Sequence, residues 1–289
     1  MHVPKIGSFQ SNLPYAKNLL DYWLTRFPRL YLFLERHREW QNWDKRVYLS
    51  LIRRGDVVLD IGANIGAHTI AFSHLVGEHG RVLAFEPLAA NFERLLETIS
   101  RRCRFSNIST FQVAVGNPRV PNERTLIKVP GGDFSQASLV AHAAGSWDER
   151  RDIQDYSCVM TGVDAEMAAN PLPRLDFVKI DVEGGELDAL KGATRTLARY
   201  RPLLYCEVYQ MWAVSFGYSA AELFAFVRSL GYSKARVIRE GRVHPLDLDA
   251  PVPTKLFDIS SDVLFFAPEH EARVAPFDKR YHVRVKSRT

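Results

Sequence analysis

From residue 55 onward, short apolar runs alternate with longer stretches in which apolar residues recur every three to four positions. The runs predict β-strands and the longer stretches predict amphipathic helices, an alternation typical of a mostly parallel sheet covered on both faces. The runs that we interpret as strands of this sheet are 57–62, 81–87, 110–116, 175–184, 202–209, 234–240 and 262–268. The predicted fold class is therefore α/β, with a mostly parallel seven-stranded sheet and helices on both faces.

Local signals refine this pattern at two places. Ser219 and Glu222 have the spacing of a capping box, in which each side chain satisfies a backbone N–H at the start of a helix. Gly231 then ends that helix. The last two strands follow one another closely, and we predict that they form an antiparallel hairpin pair.

The composition of the chain and the spacing of its apolar residues divide it into three parts. We predict a helical N-terminal extension over 1–44, one sheet domain over 45–268 and a basic C-terminal tail over 269–289. Within the domain the helical period fades between 117 and 162, where "RTLIKVP" and "YSCVMTGV" are predicted to be strands that flank a loop. Insertions of this kind commonly carry substrate contacts.

Composition excludes several classes of protein. The net charge of +5 is spread along the chain apart from the basic tail, which is too diffuse to indicate nucleic-acid binding. Three cysteines without a CxxC pair argue against a disulfide framework or a zinc site and favour a reducing compartment, so we expect a cytoplasmic protein. No signal sequence opens the chain and no apolar run approaches the roughly 18 residues of a spanning helix, so we expect no membrane crossing.

The segment 18–43 is aromatic-rich and basic, with Leu20, Trp23, Leu24 and Phe27 at helical spacing. We favour the interpretation that it caps the main domain or packs on a partner subunit. A helix of this type is also compatible with a peripheral position on a membrane surface or with contact to a lipid-linked substrate.

The loop after the first predicted strand carries the clearest chemical signal. Gly62 and Gly66 at a strand-to-helix turn allow close approach of the backbone to a ligand, and the helix that begins near Ala67 directs free N–H groups toward it. A phosphate-binding P-loop is excluded because no lysine follows Gly66. A dinucleotide fingerprint is disfavoured, though not excluded, because the spacing is GxxxG rather than GxGxxG.

S-adenosylmethionine fits this loop better. Asp60 at the strand end can accept from the ammonium of the cofactor, directly or through water, while the loop N–H groups meet its carboxylate. Glu86, which ends the second strand, is placed to accept both ribose hydroxyls. The backbone around Ala114 and Val115 lies where the edge of the adenine would be recognised.

Three motifs, "VVLDIGANIGAHT", "VLAFEPLAANFERL" and "LDFVKIDVEGGELDALKGA", resemble those of the FkbM-type methyltransferases over about residues 55–268. The resemblance implies a Rossmann-like class I methyltransferase that depends on S-adenosylmethionine and methylates hydroxyl groups on natural-product scaffolds or glycan sugars. It places Asp181 and Glu183 at the active centre. The predicted cofactor-binding residues are Asp60, Gly62, Ala63, Asn64, Gly66, Thr69, Glu86, Pro87, Ala114 and Val115.

The acidic stretch "IDVEGGE" suggests how the acceptor hydroxyl loses its proton. We expect like charges and partial burial to raise the pKa of Asp181, which makes it our first candidate for the base, with Glu183 second. An alternative is that the cluster binds a divalent cation such as Mg²⁺. For Glu186 we favour an idle position in the first helical turn. Glu207 is a weaker candidate for orienting the substrate, and we expect His68 to face solvent or the ribose.

Two other functions stay open at this point. A nicotinamide-dependent oxidoreductase would also use Glu86 on a ribose, and a non-catalytic binding module would have its acidic cluster remote from the cofactor. The sequence does not name the acceptor, the oligomeric state or whether oxygen or nitrogen is methylated. An aromatic-lined entrance would suit a sugar ring or an apolar scaffold.

Overall fold

The computed structural model describes residues 27, 30, 43–142, 147 and 152–283. Most of the predicted N-terminal extension, including nearly all of segment 18–43, and the end of the basic tail lie outside these residues. The strands are β1 (Val57–Ile61), β2 (Arg81–Phe85), β3 (Ile108–Phe111), β4 (Ala114–Val115), β5 (Glu123–Pro130), β6 (Ile153–Thr161), β7 (Phe177–Ile180), β8 (Leu203–Val208), β9 (Lys234–Arg239), β10 (Arg242–Asp247) and β11 (Ser261–Phe266). The α-helices are α1 (Trp43–Leu51), α2 (Ala67–Val76), α3 (Ala89–Arg102), α4 (Val163–Ala169), α5 (Glu186–Lys191), α6 (Thr194–Tyr200), α7 (Gln210–Ser215), α8 (Ala220–Ser229) and α9 (Glu271–Arg280).

The main sheet confirms the predicted α/β class. Its strand order is β10-β9-β11-β8-β7-β1-β2-β3. Neighbours from β8 to β3 are parallel, whereas β11 runs antiparallel to both β8 and β9. The capping box of Ser219 and Glu222 is also present at the start of α8.

The sheet of the described residues has eight strands rather than the predicted seven. The additional strand is β10, which pairs antiparallel with β9 and lies at the edge. Its sequence "RVHPLD" lacks an apolar run and contains Pro245, which is tolerated only because an edge strand leaves one row of N–H groups unpaired. The predicted antiparallel pairing of β9 with β11 is correct, but the hairpin that follows β9 is made with β10.

The predicted third strand, 110–116, is divided in the structure. The chain breaks at Gln112 and Val113, after which Ala114 and Val115 leave the main sheet and pair with β6. β5 and β6 form an antiparallel pair, so that the insertion builds a second sheet of three strands in the order β4-β6-β5. The strands predicted inside the insertion are therefore confirmed.

Both faces of the main sheet are covered, as the apolar pattern predicts. One face packs on helices that include α5 and α8, and the other packs on α1, α2 and α9. The helix predicted after residue 184 is divided into α5 and α6 at residues 192 and 193. Gly192 approaches the second sheet closely, since a Cβ there would lie 1.8 Å from the carbonyl oxygen of Gly116. Val274 and Phe277 of α9 are buried in the second face, so the packed core continues past residue 268, our predicted end of the domain.

A membrane span would need a long apolar helix. Within the part of the chain that the structure describes, no helix combines the required length with the required hydrophobicity.

Candidate functional site

A cavity of about 300 Å³ lies at the carboxyl ends of β1, β2 and β7, under the small second sheet. Parallel α/β sheets bind their ligands at this edge. The predicted site residues that line it are Gly62, Ala63, Asn64, Glu86, Pro87, Ala114, Val115, Asp181 and Glu183. Asp60, Gly66 and Thr69 do not line the cavity, and they lie behind the loop that does.

The two loop glycines make close contacts within the protein. Gly62 has a φ of +80°, and a Cβ at this position would lie 1.8 Å from the carbonyl oxygen of Asp181. Gly66 has a φ of +89°, and its Cβ would lie 2.7 Å from Leu95 Cδ1. The lack of a side chain at Gly62 allows the β1 loop to lie against the end of β7, and the predicted close approach of a ligand to this loop stays a prediction.

Asp60 supports the loop from below. It is fully buried, and its Oδ2 accepts a 2.6 Å hydrogen bond from the Thr69 hydroxyl on α2. Its Oδ1 has no hydrogen-bond partner among the described residues, although Lys179 Nζ lies 3.7 Å away. The predicted contact of Asp60 with a ligand ammonium stays a prediction, and this depth favours the version through water.

Glu86 joins the two loops that form one wall of the cavity. Its Oε2 accepts from the Asn64 backbone N–H at 2.9 Å, and its Oε1 accepts from the Leu88 N–H at 3.0 Å. Burial raises the pKa of Glu86, and the hydrogen bonds to its carboxylate oppose that shift. Oε1 also accepts from Asn91 Nδ2 at 3.4 Å, so Oε2 is the oxygen that keeps a second lone pair for a ligand.

The acidic stretch is a tight turn closed by Glu186. Glu186 Oε1 accepts hydrogen bonds from the backbone N–H groups of Val182 at 3.2 Å and Gly184 at 3.1 Å. Glu186 Oε2 accepts a hydrogen bond from the Tyr218 hydroxyl. Burial raises the pKa of Glu186 to about 7. Our interpretation of Glu186 as an idle first-turn acid is therefore wrong, because this side chain shapes the turn that carries Glu183.

Asp181 pairs with a lysine that sequence analysis did not consider. Lys179, on the central strand β7, is only 4% exposed, and its Nζ lies 3.2 Å from Asp181 Oδ2. Burial acts to raise the pKa of Asp181, but the Lys179 ammonium, the charge of His68 and the side-chain hydrogen bonds to Lys179 and Glu207 together lower that pKa below its ordinary value. The expectation that like charges raise the pKa of Asp181 is wrong for this reason.

Glu183 has the opposite environment. It lines the cavity with a backbone φ of +54°, and its Oε2 is buried without a hydrogen-bond partner among the described residues. Burial, followed by the charges of Asp181 and Glu186, raises the pKa of Glu183 to about 9. The two predicted catalytic carboxyls therefore lie together but differ sharply in how readily they lose a proton.

Glu207, at the end of β8, completes a cluster of three carboxyls. Oxygen atoms of Asp181, Glu183 and Glu207 lie within 4.8 Å of one another. Glu207 accepts a short hydrogen bond from the Ser260 hydroxyl, and burial raises its pKa well above the ordinary value. Carboxylates at this spacing can bind a divalent cation or share protons.

His68 does not face solvent. It lies between the main cavity and a second, much smaller one of about 20 Å³, in edge contact with the Tyr48 ring at 5.5 Å. Burial lowers the pKa of His68, as does the nearby Lys179 ammonium. The small cavity is lined by Asp44, Tyr48, His68, Lys179, Ile180, Asp181, Tyr205, Glu207 and Asp262.

Aromatic residues cover the acidic turn on its outer side. The His142 ring stacks on Trp212 at 5.0 Å and meets Trp147 edge-on at 5.0 Å. A Cβ on Gly184 would lie 2.9 Å from His142 Cε1, so the turn and the aromatic group are in direct contact. Sequence analysis missed His142 because no local pattern links residue 142 with residue 184.

Comparison with known proteins gives a consistent result. Residues 60–234 match the methyltransferase FkbM domain. Hexuronic acid methyltransferase AglP of Haloferax volcanii is 30% identical over 152 residues, which are 53% of this chain and 56% of that protein. The AMB antimetabolite synthetase AmbE of Pseudomonas aeruginosa is 27% identical over 177 residues, which are 51% of this chain and 8% of that protein. The chain thus spans about half of AglP and a small part of AmbE.

Solved structures of low identity are also similar. Methyltransferase FkbM from Methylobacillus flagellatus is 15% identical with a TM-score of 0.42, covering 88% of this chain and 60% of that one. Fibrillarin from Aeropyrum pernix, solved with S-adenosyl-L-methionine, is 13% identical with a TM-score of 0.42, covering 75% of this chain and 68% of that one.

Proposed function

The chain belongs to the FkbM methyltransferase family and is an S-adenosylmethionine-dependent methyltransferase, and from this premise we propose that it methylates a hydroxyl oxygen of a sugar, a glycan or a natural-product scaffold. The observation that carries the proposal is the buried, unpartnered Glu183 Oε2 beside the cavity. A hydroxyl acceptor must lose its proton as the new C–O bond forms, whereas a neutral amine need not be deprotonated beforehand. The relative AglP, a hexuronic acid methyltransferase, supports a sugar acceptor.

The residues present fit S-adenosylmethionine. Asp60 Oδ1 is a buried acceptor without a hydrogen-bond partner among the described residues, as a site for an ammonium requires. Glu86 faces the same cavity, and its Oε2 keeps a lone pair for a ribose hydroxyl. Ala114 and Val115 line the wall where we predict the adenine. When bound, the cofactor supplies an electrophilic methyl group on a sulfonium.

Asp181 and Glu183 have different roles toward the acceptor substrate. Asp181, held ionised by Lys179, accepts a hydrogen bond from a neighbouring hydroxyl of the acceptor and thereby orients it. Glu183 accepts the hydroxyl proton, because its raised pKa makes it the stronger base once it is ionised. The aromatic residues over the turn, including His142 and Trp212, exclude water from this side. Glu183 thus replaces Asp181 as our first candidate for the base.

Methyl transfer from labelled cofactor tests the proposal. The protein is incubated with S-adenosyl-[methyl-³H]methionine and with three acceptors in parallel, methyl glucuronoside, methyl glucoside and glucosamine. Label in an ether at a ring hydroxyl supports the proposal, and label on the glucosamine nitrogen alone contradicts it. Isothermal titration with S-adenosylmethionine and NAD separates the remaining alternatives, since heat on NAD alone would indicate an oxidoreductase.

Glu86→Ala is expected to weaken S-adenosylmethionine binding by about 10- to 100-fold, because one hydrogen bond to a charged group is worth roughly 1.5–3 kcal/mol. Titration calorimetry measures the change in Kd. Glu93→Ala, an exposed position on α3, is the matched control and should leave Kd unchanged. Equal affinities for the wild type and Glu86→Ala would exclude Glu86 from the cofactor site.

The carboxyl cluster also supports a second candidate mechanism, in which a divalent cation bound by Asp181, Glu183 and Glu207 acidifies the acceptor hydroxyl. The proton-acceptor mechanism predicts that full turnover survives exhaustive treatment with EDTA. Turnover that falls at least tenfold with EDTA and returns with MgCl₂ would instead establish the cation mechanism. Refilling with CaCl₂ is the control, since Ca²⁺ favours more ligands and longer distances than Mg²⁺.

A further inference from the structure

Lys179 is an unusual residue at its position. It lies in the middle of the main sheet, on a strand that is buried throughout, between β1 and β8. A lysine is almost never this buried unless its charge is paired. Among the described residues that line the main cavity, it is the only lysine or arginine.

The ammonium protons of Lys179 are directed to the protein rather than to a ligand. Nζ donates to the Gly62 carbonyl oxygen at 3.1 Å, lies 3.2 Å from Asp181 Oδ2 and lies 3.7 Å from Asp60 Oδ1. Two of the three ammonium protons thus have acceptors within hydrogen-bond distance, whereas Asp60 Oδ1, at 3.7 Å, is a charge partner beyond that distance. Lys179 therefore has at most one proton left to hold a substrate directly.

These contacts connect two functional loops. Gly62 belongs to the loop after β1, which lines the proposed cofactor site, and Asp181 begins the acidic turn after β7. A single buried cation thus fixes the distance between the two sides of the cavity. It also lies against one carboxyl of the pair, Asp181, and makes no hydrogen bond to the other, Glu183.

We propose that Lys179 is a positioning residue, which holds the Asp181 carboxyl against the loop after β1 and aims it at the acceptor, so that Glu183 is left as the proton acceptor. This inference rests on the proposed function. Lys179 acts through Asp181 and not by contact with the reacting atoms. The other charged or titratable groups of the described residues near Asp181 are Asp44 and Tyr48 on α1, His68 on α2, Glu183 and Glu186 on the acidic turn, Cys206 and Glu207 on β8 and Asp262 on β11.

Carbon-13 NMR of aspartate carboxyls tests the inference without an acceptor substrate. Protein labelled with [4-¹³C]aspartate is titrated between pH 3 and pH 9, and Asp181→Asn assigns the resonance. In Lys179→Met we expect the Asp181 resonance to titrate about 1–3 pH units higher than in the wild type, because an opposite charge at this distance lowers a carboxyl pKa by that amount. Lys179→Arg, which keeps the charge, should restore the wild-type behaviour at least in part.

Lys128→Met is the matched control, since it removes the lysine of an exposed ion pair with Asp155. It should leave the Asp181 resonance unchanged. Lys179→Met leaves the carboxylates of Asp60 and Asp181 without their cation. If this variant does not fold, the double variant Asp60→Asn/Lys179→Met is compared with Asp60→Asn, because the amide that replaces the Asp60 carboxylate carries no charge that needs a partner. An Asp181 titration that is the same with and without Lys179 would overturn the inference.

Turnover provides the second readout. Lys179→Met should lower methyl transfer as far as Asp181→Asn does, and the double variant should be no slower than either single one, because the two residues act as a unit. Losses that multiply in the double variant would show that Lys179 acts elsewhere. A wild type without methyl transfer to any acceptor would contradict the proposed function, whereas an active wild type with active Lys179→Met contradicts this inference alone.

Discussion

Glu183→Gln is expected to lower turnover by about 10²- to 10⁴-fold, the range that a positioned general base contributes. The same change should raise the unfolding temperature. Because the folded-state pKa of Glu183 is raised from 4.5 to about 9, its contribution to stability is complete below pH 4.5 and is lost as the pH rises through 9. A neutral glutamine avoids this loss, so the variant should be more stable than the wild type at pH 8.

The pH dependence of the wild type follows from the same group. Only ionised Glu183 accepts a proton, so kcat should rise about tenfold per pH unit on the acidic side of its pKa. The cationic sulfonium of the bound cofactor favours the ionised form, and the rise should therefore level off below pH 9. Glu183→Gln should lose this pH dependence.

Differential scanning fluorimetry and initial rates between pH 6 and pH 10 check these expectations. Glu93→Gln, an exposed change of the same kind on α3, should alter neither stability nor rate. A Glu183→Gln protein with wild-type turnover would exclude Glu183 as the base. One that is both inactive and less stable would indicate a structural role instead.

Gly62→Ala is expected to destabilise the protein by more than about 4 kcal/mol, a size confined to a few severe mechanisms. The added Cβ would lie 1.8 Å from the Asp181 carbonyl oxygen, in a backbone conformation with φ of +80°. Neither the loop nor the end of β7 can move without disturbing the other. The cofactor site should therefore be lost together with the stability.

Gly55→Ala separates the effect of backbone strain from the effect of the steric clash. Gly55 has nearly the same φ, +83°, but nothing lies within 4 Å of the position of its Cβ. Gly55→Ala should lower the free energy of unfolding by the backbone strain alone, about 1–2 kcal/mol. Urea unfolding at equilibrium gives both free energies, and equal losses at the two positions would show that contact between the β1 loop and β7 is unimportant.

Much of the fold could be predicted because the apolar pattern reports burial directly. The central strands are buried on both faces, which produces the continuous runs ending in Asp60 and near Glu86. The edge strand β10 could not be found in this way, since Pro245 and the partly exposed residues around it resemble a turn. The break between Phe111 and Ala114 depends on pairing with Met160, which is too distant in sequence for a local pattern to reveal.

The site was predictable in position but not in its electrostatics. Strand ends locate Asp60, Glu86, Asp181 and Glu183, because parallel strands end at the same edge. Which carboxyl is the stronger base depends on Lys179, whose Nζ is directed by packing and not by sequence spacing. The role of Glu186 likewise depends on how the acidic turn folds over the Glu186 side chain. This conformation brings the backbone N–H groups of Val182 and Gly184 to Glu186 Oε1.

The position of Pro245 has a consequence for self-association. A sheet can extend into a second molecule only where its outermost strand offers an unbroken row of donors and acceptors. β10 is outermost on its side, and Pro245, which lies opposite Arg236, contributes no N–H to either neighbour. Pro245 therefore interrupts any ladder that a second copy of the chain would form along β10, and this edge is protected from sheet extension.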